Sequence, residues 1–144
     1  MRNRVLHRKP VRYFVTGGAG FIGSHLVDKL IETGEVTVYD NLNSGKREFI
    51  QHHIGKSNFH FIQADLLDFN NLKKAIANHD MIFHLAANPD VRAGITNTNL
   101  DLQQGTLATY NVLEAMRLNL VDCARDLGPI AALDDRADAD LLFR

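Results

Sequence analysis

Apolar residues follow two periods along the chain, and the two periods alternate between residues 11 and 117. Short apolar runs bounded by turn residues predict strands at residues 11–16, 36–40, 58–63 and 81–87. Apolar residues that recur every three or four positions predict helices at residues 21–33, after Asp68, and at about 100–117. This alternation favours an α/β domain with a parallel sheet whose strands are joined by helical crossovers.

Four residues are expected to mark helix ends. Gly34 is a candidate for the residue just past the first helix, where glycine is common because it tolerates positive φ. Ser44 is a candidate cap for a short helix that ends before Gly55, and Asp68 is a candidate N-cap for the next helix.

The run at residues 81–87 is nearly all apolar, which is typical of a central parallel strand that is buried on both faces. The apolar members of the long helix that follows are Leu107, Tyr110, Val112, Leu113 and Met116. Gly105 lies inside this helix and is expected to weaken it, because glycine costs about 1 kcal/mol relative to alanine.

The regular pattern stops after Asn119, where a fifth strand should begin. Residues 120–128 contain no run of β-branched residues, and residues 129–144 are rich in Ala, Asp and Leu. Leu133, Ala137 and Leu141 have the spacing of a short amphipathic helix, and an acidic, flexible tail fits the composition equally well. We therefore expect a basic, disordered lead-in at 1–10, an incomplete domain at 11–119, and a divergent tail at 120–144.

Composition excludes several classes of protein. The 144 residues are 45% hydrophobic, and 16 basic against 17 acidic residues leave no charge excess that would suggest a nucleic-acid or membrane partner. The lone Cys123 cannot form an internal disulfide, and no apolar run is long enough to cross a bilayer, so we expect a cytoplasmic protein. The seven histidines are scattered, without metal-binding spacing, and we predict no metal site.

A cluster of four glycines directly follows the first predicted strand and directly precedes the first predicted helix. Gly18, Gly20 and Gly23 fit G-x-G-x-x-G, while Gly17, Gly20 and Gly23 fit G-x-x-G-x-x-G. Glycines allow backbone N–H groups to approach a phosphate, and the helix N-terminus faces the anion with its positive dipole end. The cluster therefore predicts a pyrophosphate-binding turn.

An acidic residue at the end of the second strand adds to this evidence. Asp40 follows the glycines by about 20 residues, the position from which a carboxylate binds the ribose of a dinucleotide. A carboxylate accepts hydrogen bonds from both ribose hydroxyls and repels a 2′-phosphate. We therefore predict a doubly wound sheet of Rossmann type, truncated after about four strands, that prefers NAD to NADP.

The chain also resembles a known family, the extended short-chain dehydrogenases/reductases, and especially the nucleotide-sugar epimerases and dehydratases such as UDP-glucose 4-epimerase. Five motifs carry the resemblance in the right order, at residues 16–23, 39–45, 64–66, 84–88 and 106–115. The similarity covers about residues 11–117.

The resemblance implies a set of NAD-binding residues. Glycines and the first helical amides would bind the pyrophosphate, Asp40 the ribose with help from Asn41 and Ser44, and residues 65 and 66 would border the adenine. Residues 85–87 would lie beside the cofactor. The complete set is Gly17, Gly20, Phe21, Ile22, Gly23, Asp40, Asn41, Ser44, Asp65, Leu66, Leu85, Ala86 and Ala87.

The family's catalytic residues have no counterpart in this chain. The resemblance implies a hydride shuttle that uses a Tyr as acid/base, a Lys four residues later, and an upstream Ser or Thr. Positions four beyond the three tyrosines are Gly17, Asn43 and Glu114, and the last lysine is Lys74. We therefore assign no catalytic residue.

Our first hypothesis is an NAD-binding N-terminal portion of a nucleotide-sugar epimerase or dehydratase that is inactive alone. Such a chain would meet a nucleotide-sugar substrate only if the missing half were supplied. One alternative is a subunit of a split enzyme, and another is a non-catalytic nucleotide-binding module that self-associates through an exposed sheet edge. A methyl-donor enzyme also places a glycine-rich turn before an acid-ended strand, but the close glycine spacing favours a dinucleotide.

Overall fold

The computed structural model describes residues 9–90 and 92–126. Four parallel strands form one sheet in the spatial order β3-β2-β1-β4. They are β1 (Val11–Thr16), β2 (Gly34–Asp40), β3 (Phe59–Gln63) and β4 (Met81–His84). The chain thus adds two strands on one side of β1 and then crosses to the other side, which makes a topological switch point between β1 and β4. The prediction of a Rossmann-type parallel sheet is confirmed.

Helices connect the strands. They are α1 (Phe21–Leu30), α2 (Phe69–Ile76), α3 (Ala93–Thr96), α4 (Thr98–Asp101) and α5 (Ala108–Asp126). A π-helical segment, Leu102–Leu107, joins α4 to α5, and two 3₁₀ turns, Arg47–Phe49 and Gln51–His53, lie between β2 and β3. In the described ranges no helix is both long enough and apolar enough to span a membrane. The lead-in at 1–8 and the predicted tail helix at 133–141 lie outside the described residues.

The sheet is covered on both faces, and the alternation of residues along β1 shows how. Val15 belongs to one core, with Val27 of α1, while its neighbour Phe14 belongs to the other core, with Leu72 of α2 and Val112 of α5. Phe14, Val15 and their three partners are all fully buried. Because successive strand residues point to opposite faces, one apolar strand serves both layers.

Two of the predicted helix ends are wrong. Gly34 is the first residue of β2 and has no positive φ, so it is not a helix cap. It is required for close packing instead, because a Cβ there would collide with the carbonyl oxygen of Val11 and lie 2.8 Å from the Tyr13 ring. Ser44 caps no helix, since the first 3₁₀ turn begins after Lys46 without a side-chain cap. The Asp68 cap is confirmed by its hydrogen bond from the Asn71 N–H, 3.1 Å long.

The expectation of a central fourth strand is also wrong for the described part of the chain. β4 pairs with β1 alone and lies at the edge of the described sheet, where Met81 is 47% exposed and residues 82–84 are half-buried. An apolar run indicates that helices cover both faces of a strand. It does not indicate whether another strand pairs with each edge.

The long helix buries only part of its apolar set. Val112 is buried and Met116 is half-buried, and the other buried residues are Ala108 and Ala115. The large side chains at positions 107, 110 and 113 are 43–59% exposed. The π-helical segment contains Gly105 and shifts the helical repeat, and the two alanines allow α5 to pack closely on α2.

We expect Gly34→Ala to destabilise the fold by about 1–3 kcal/mol, because its Cβ meets backbone and a buried ring. Gly105→Ala is the matched control, since no atom lies within 4 Å of a Cβ at that site. The control should be neutral or stabilising by up to about 1 kcal/mol. Urea unfolding measures both free energies, and equal effects of the two variants would contradict this account of Gly34.

Candidate functional site

The carboxyl ends of β1, β2 and β4 surround a cleft of about 440 Å³. Its position is the one where doubly wound sheets bind ligands, outside the strand ends at a switch point. Twelve of the thirteen predicted site residues line it, and these are Gly17, Gly20, Phe21, Ile22, Gly23, Asp40, Asn41, Ser44, Leu66, Leu85, Ala86 and Ala87. Asp65 is not among the residues that line it.

The glycines shape the turn that forms one wall of the cleft. Gly17 has a φ of 68°, and a Cβ there would lie 2.6 Å from the Ala86 backbone nitrogen. A Cβ on Gly23 would collide with the Gly17 carbonyl oxygen. Gly18 faces away from the cleft, because its Cβ would meet Val38 at 2.7 Å. The cleft is therefore lined by the G-x-x-G-x-x-G set of glycines.

Gly20 differs from the other glycines of the turn because it leaves open space. Its φ of −78° suits any residue, and the one atom close to a Cβ placed there is the Gly17 carbonyl oxygen, at 3.2 Å. A ligand can therefore approach the backbone at Gly20 more closely than it could with a side chain present. This is the fit expected of a cradle for a phosphate group.

The N-terminus of α1 points its backbone N–H groups at this cradle. Gly20 is the N-cap and provides no side-chain hydrogen bond, and the first turn contains no acidic residue. The first amides of an α-helix have no intrahelical acceptor, and the helix dipole makes this end positive. Among the described residues that line the cleft, Asp40 carries the one charged side chain. Any anion bound here would therefore be stabilised by the backbone.

Asp40 is held by the two loops beside it. It is 8% exposed, one carboxylate oxygen accepts from the Ala19 N–H at 2.9 Å, and the other accepts from the Leu42 N–H at 2.8 Å. A carboxylate oxygen can accept two hydrogen bonds, so each oxygen retains one acceptor position. The carboxylate thus fixes the glycine turn to the end of β2 and still has capacity for a ligand hydroxyl.

Asp65 and Asn41 are joined by a hydrogen bond of 2.9 Å from the Asn41 amide to a carboxylate oxygen. The second oxygen of Asp65 accepts from the Leu67 N–H at 2.9 Å, which closes a turn. The structure therefore gives Asp65 a structural role beside the cleft, and its predicted contact with adenine stays a prediction. Burial and the nearby carboxylates of Asp68 and Asp65 raise the pKa of Tyr39 to about 12.

A buried polar network orders the strand end on the opposite wall. The Thr16 Oγ1 accepts from the Leu85 N–H at 3.2 Å and lies 2.7 Å from His84 Nδ1, to which its hydroxyl donates. His84 Nε2 then donates to Thr109 Oγ1 at 3.1 Å. Burial lowers the pKa of His84, so its imidazole is neutral at neutral pH. The network fixes the backbone of Leu85, which lines the cleft.

Sequence reasoning missed several of these contributors. Phe49 and Gln104 line the cleft although neither lies within a recognised motif. Asn88 also lines it and donates to the Asp101 carboxylate at 2.9 Å, which ties the loop after β4 to α4. The proximity of Thr16 and His84 was foreseeable, because both end neighbouring parallel strands.

Fold and cleft together define a Rossmann-type nucleotide-binding domain. The chain belongs to the NAD dependent epimerase/dehydratase family, whose family model matches residues 13–127.

Individual relatives agree with this assignment. UDP-glucuronic acid decarboxylase 1 of Danio rerio is 39% identical over 103 residues, which are 71% of this chain and 23% of that protein. The UDP-N-acetylglucosamine 4-epimerase of Methanobrevibacter ruminantium is 38% identical with a TM-score of 0.71, over 78% of this chain and 36% of its own. The Thermus thermophilus UDP-glucose 4-epimerase, solved with NAD, is 37% identical with a TM-score of 0.65, over 76% and 34%. The chain thus spans about a third or less of these proteins.

We expect Thr16→Val to destabilise the domain by about 1–3 kcal/mol, because it removes the hydroxyl that bonds the half-buried His84 Nδ1 and the Ala86 N–H, while the Leu85 N–H keeps its bond to the Thr16 carbonyl oxygen. Thr106→Val at an exposed position is the matched control and should change stability by less than about 0.5 kcal/mol. Urea denaturation compares them. A Thr16 variant as stable as its control would show that the network contributes nothing.

Proposed function

We propose that this chain binds NAD through the adenosine-diphosphate half of the cofactor. The observation that carries the proposal is the uncapped N-terminus of α1, which opens onto a Cβ-free cradle at Gly20 and lies beside a buried acid, Asp40, that bonds the Ala19 N–H. Support comes from the family to which the chain belongs and from the NAD complex of the Thermus thermophilus relative.

The residues present fit this half of the cofactor. The amides of Phe21 and Ile22 would donate to the pyrophosphate, and the remaining acceptor positions of Asp40 would receive the ribose hydroxyls. Asn41 and Ser44 would assist at the ribose, and Asp65 and Leu66 would border the adenine. When bound, NAD supplies reversible oxidation of a substrate hydroxyl.

We expect Gly20→Ala to fold normally and to weaken NAD binding by at least about tenfold, or ~1.4 kcal/mol. Its φ permits alanine, while the new methyl group occupies the space assigned to the pyrophosphate. Gly105→Ala, whose Cβ meets no atom within 4 Å, serves as the folded control. Isothermal titration calorimetry gives both affinities. Equal affinities for the two variants would place the phosphate elsewhere.

A panel of nucleotides tests the role of Asp40. NAD and ADP-ribose should bind with similar affinities, and NADP should bind at least about tenfold more weakly, because the buried carboxylate repels its 2′-phosphate. S-adenosylmethionine in the same titrations tests the methyl-donor alternative. NADP binding as tight as NAD, or a preference for the methyl donor, would overturn the assignment.

The sugar-nucleotide chemistry of the family would depend on residues beyond those in this sequence. None of its tyrosines is followed by a lysine at the fourth position, and the cleft in the described residues has no Tyr–Lys pair. We expect the purified 144-residue chain to bind NAD without turning over UDP-sugars. Detectable NAD-dependent epimerisation or dehydration by the pure chain would contradict this expectation.

A second candidate function is that of one part of a split enzyme, and a groove beside β4 favours it. The unpaired edge of β4 adjoins a cavity of about 290 Å³ whose apolar lining includes Met81, Ile82, Met116 and Leu120. A further strand or a second chain would cover these residues, and self-association would cover them too. Activity that appears only in a mixture with a chain containing Tyr-x-x-x-Lys would establish this candidate over the inactive binder.

A further inference from the structure

Two histidines and an aspartate meet on the surface away from the cleft. Asp28 lies on α1, while His52 and His53 lie in the second 3₁₀ turn. The Asp28 Oδ1 is 2.9 Å from His52 Nε2 and 2.6 Å from His53 Nε2. None of the three lines the cleft, and the sequence alone did not predict that they would come together. We propose that Asp28, His52 and His53 form a binding site for one divalent transition-metal ion of the zinc type.

The three donor atoms have the spacing that such an ion needs. They all lie within 4.8 Å of one another. Bonds of about 2.0–2.2 Å at tetrahedral angles separate neighbouring donors by roughly 3.4 Å. To admit the ion, each Asp28–histidine distance need therefore lengthen by less than about 1 Å, and the two histidine nitrogens need approach each other by at most about 1.4 Å. Two imidazole nitrogens and one carboxylate oxygen are a donor set that Zn²⁺ binds readily.

One side chain of the cluster is buried and the other two are partly exposed, which suits a metal site. The His53 side chain is 4% exposed and packs against the Phe59 ring, with 5.4 Å between ring centroids, so one ligand is already rigid. The Asp28 and His52 side chains are 43% and 55% exposed, so the ion is accessible and its remaining position is open to water. Burial raises the pKa of Asp28, but hydrogen bonds from His53 and His52 outweigh this and lower it overall. The carboxylate is therefore charged at neutral pH.

The ammonium group of Lys56 opposes metal binding at this site. Its Nζ lies 3.0 Å from His53 Nδ1, and an ammonium group can only donate, so His53 carries its proton on Nε2, facing Asp28. A metal ion on Nε2 requires that proton to move to Nδ1, where it would face the ammonium group. Removal of the lysine charge should therefore strengthen metal binding, which a simple hydrogen-bonded histidine pair would not predict.

A metal ion here would join α1 to the segment that leads from the cleft. The segment with the two 3₁₀ turns contains Phe49, which lines the cleft. The N-terminus of α1 lines another part of the same cleft. The ion would thus cross-link two elements that already meet through the hydrogen bonds to Asp28 and through the core that contains Val27 and Ile50. Its binding should stabilise the folded chain in proportion to its occupancy.

The test is calorimetric titration of Zn²⁺ into the tag-free, chelator-treated chain, with thermal unfolding as a second readout. We expect one ion per chain and a rise in the unfolding temperature that EDTA reverses. Asp28→Asn and His52→Gln, both at partly exposed positions, should each weaken binding by at least about tenfold. Loss of a direct metal ligand costs more affinity than loss of a residue that only hydrogen-bonds to a ligand. Lys56→Gln should tighten binding by about tenfold, because a carboxamide oxygen can accept from Nδ1–H.

His60→Gln is the matched control, because His60 is an exposed histidine outside the cluster. It should bind Zn²⁺ like the original chain. Absence of stoichiometric binding, or equal binding by the Asp28, His52 and His60 variants, would overturn the proposal and indicate adventitious binding to surface histidines. Tighter binding by Lys56→Gln together with loss in Asp28→Asn supports it. The comparison uses variants whose metal-free unfolding temperatures match that of the original chain. A folding defect then cannot be mistaken for a loss of metal binding.

Discussion

The close packing of the turn between β1 and α1 against its neighbours is the constraint on which the rest of the structure depends. The turn from β1 into α1 passes so near the β4 loop, the side chain of Val38 and its own carbonyl groups that a Cβ at position 17, 18 or 23 would overlap one of them. Glycine at these positions lets α1 begin directly above the sheet. The same turn leaves the first amides of the helix without side-chain partners, and that makes an anion site.

The polar residues around the cleft stabilise the fold and shape the site at once. Asp40 receives backbone N–H groups from both neighbouring loops, and Asp65 closes its own turn while it holds Asn41. Thr16 and His84 join the ends of β1 and β4. Because these groups are already fixed by hydrogen bonds within the protein, a ligand that bound here would find them in place and would lose little entropy in ordering them.

The two ends of the sheet, one at β3 and the other at β4, differ in how completely other elements cover them. On the β2 and β3 side, the 3₁₀ turns, α1 and Ile50 close a core of buried side chains. At β4, the edge residues and the exposed side chains of α5 leave apolar surface that the described residues do not cover. The matched part of this chain covers 23% of one relative and 36% of another, so most of each of those proteins lies outside the match.

Local chemistry alone determined much of this protein: the alternation of strands and helices, the Asp68 cap, the glycine turn and the acid at the end of β2. Each depends on residues adjacent in sequence or on a short, regular spacing. Tertiary structure decided the rest. Gly34 is required because Val11 and Tyr13 lie against it. Ala108 and Ala115 are buried because they pack into the core that contains Leu72, and β4 is an edge because no described strand pairs with its second side. The meeting of Asp28 with His52 and His53 likewise depends on how α1 packs against a distant turn, and no local pattern encodes such a contact.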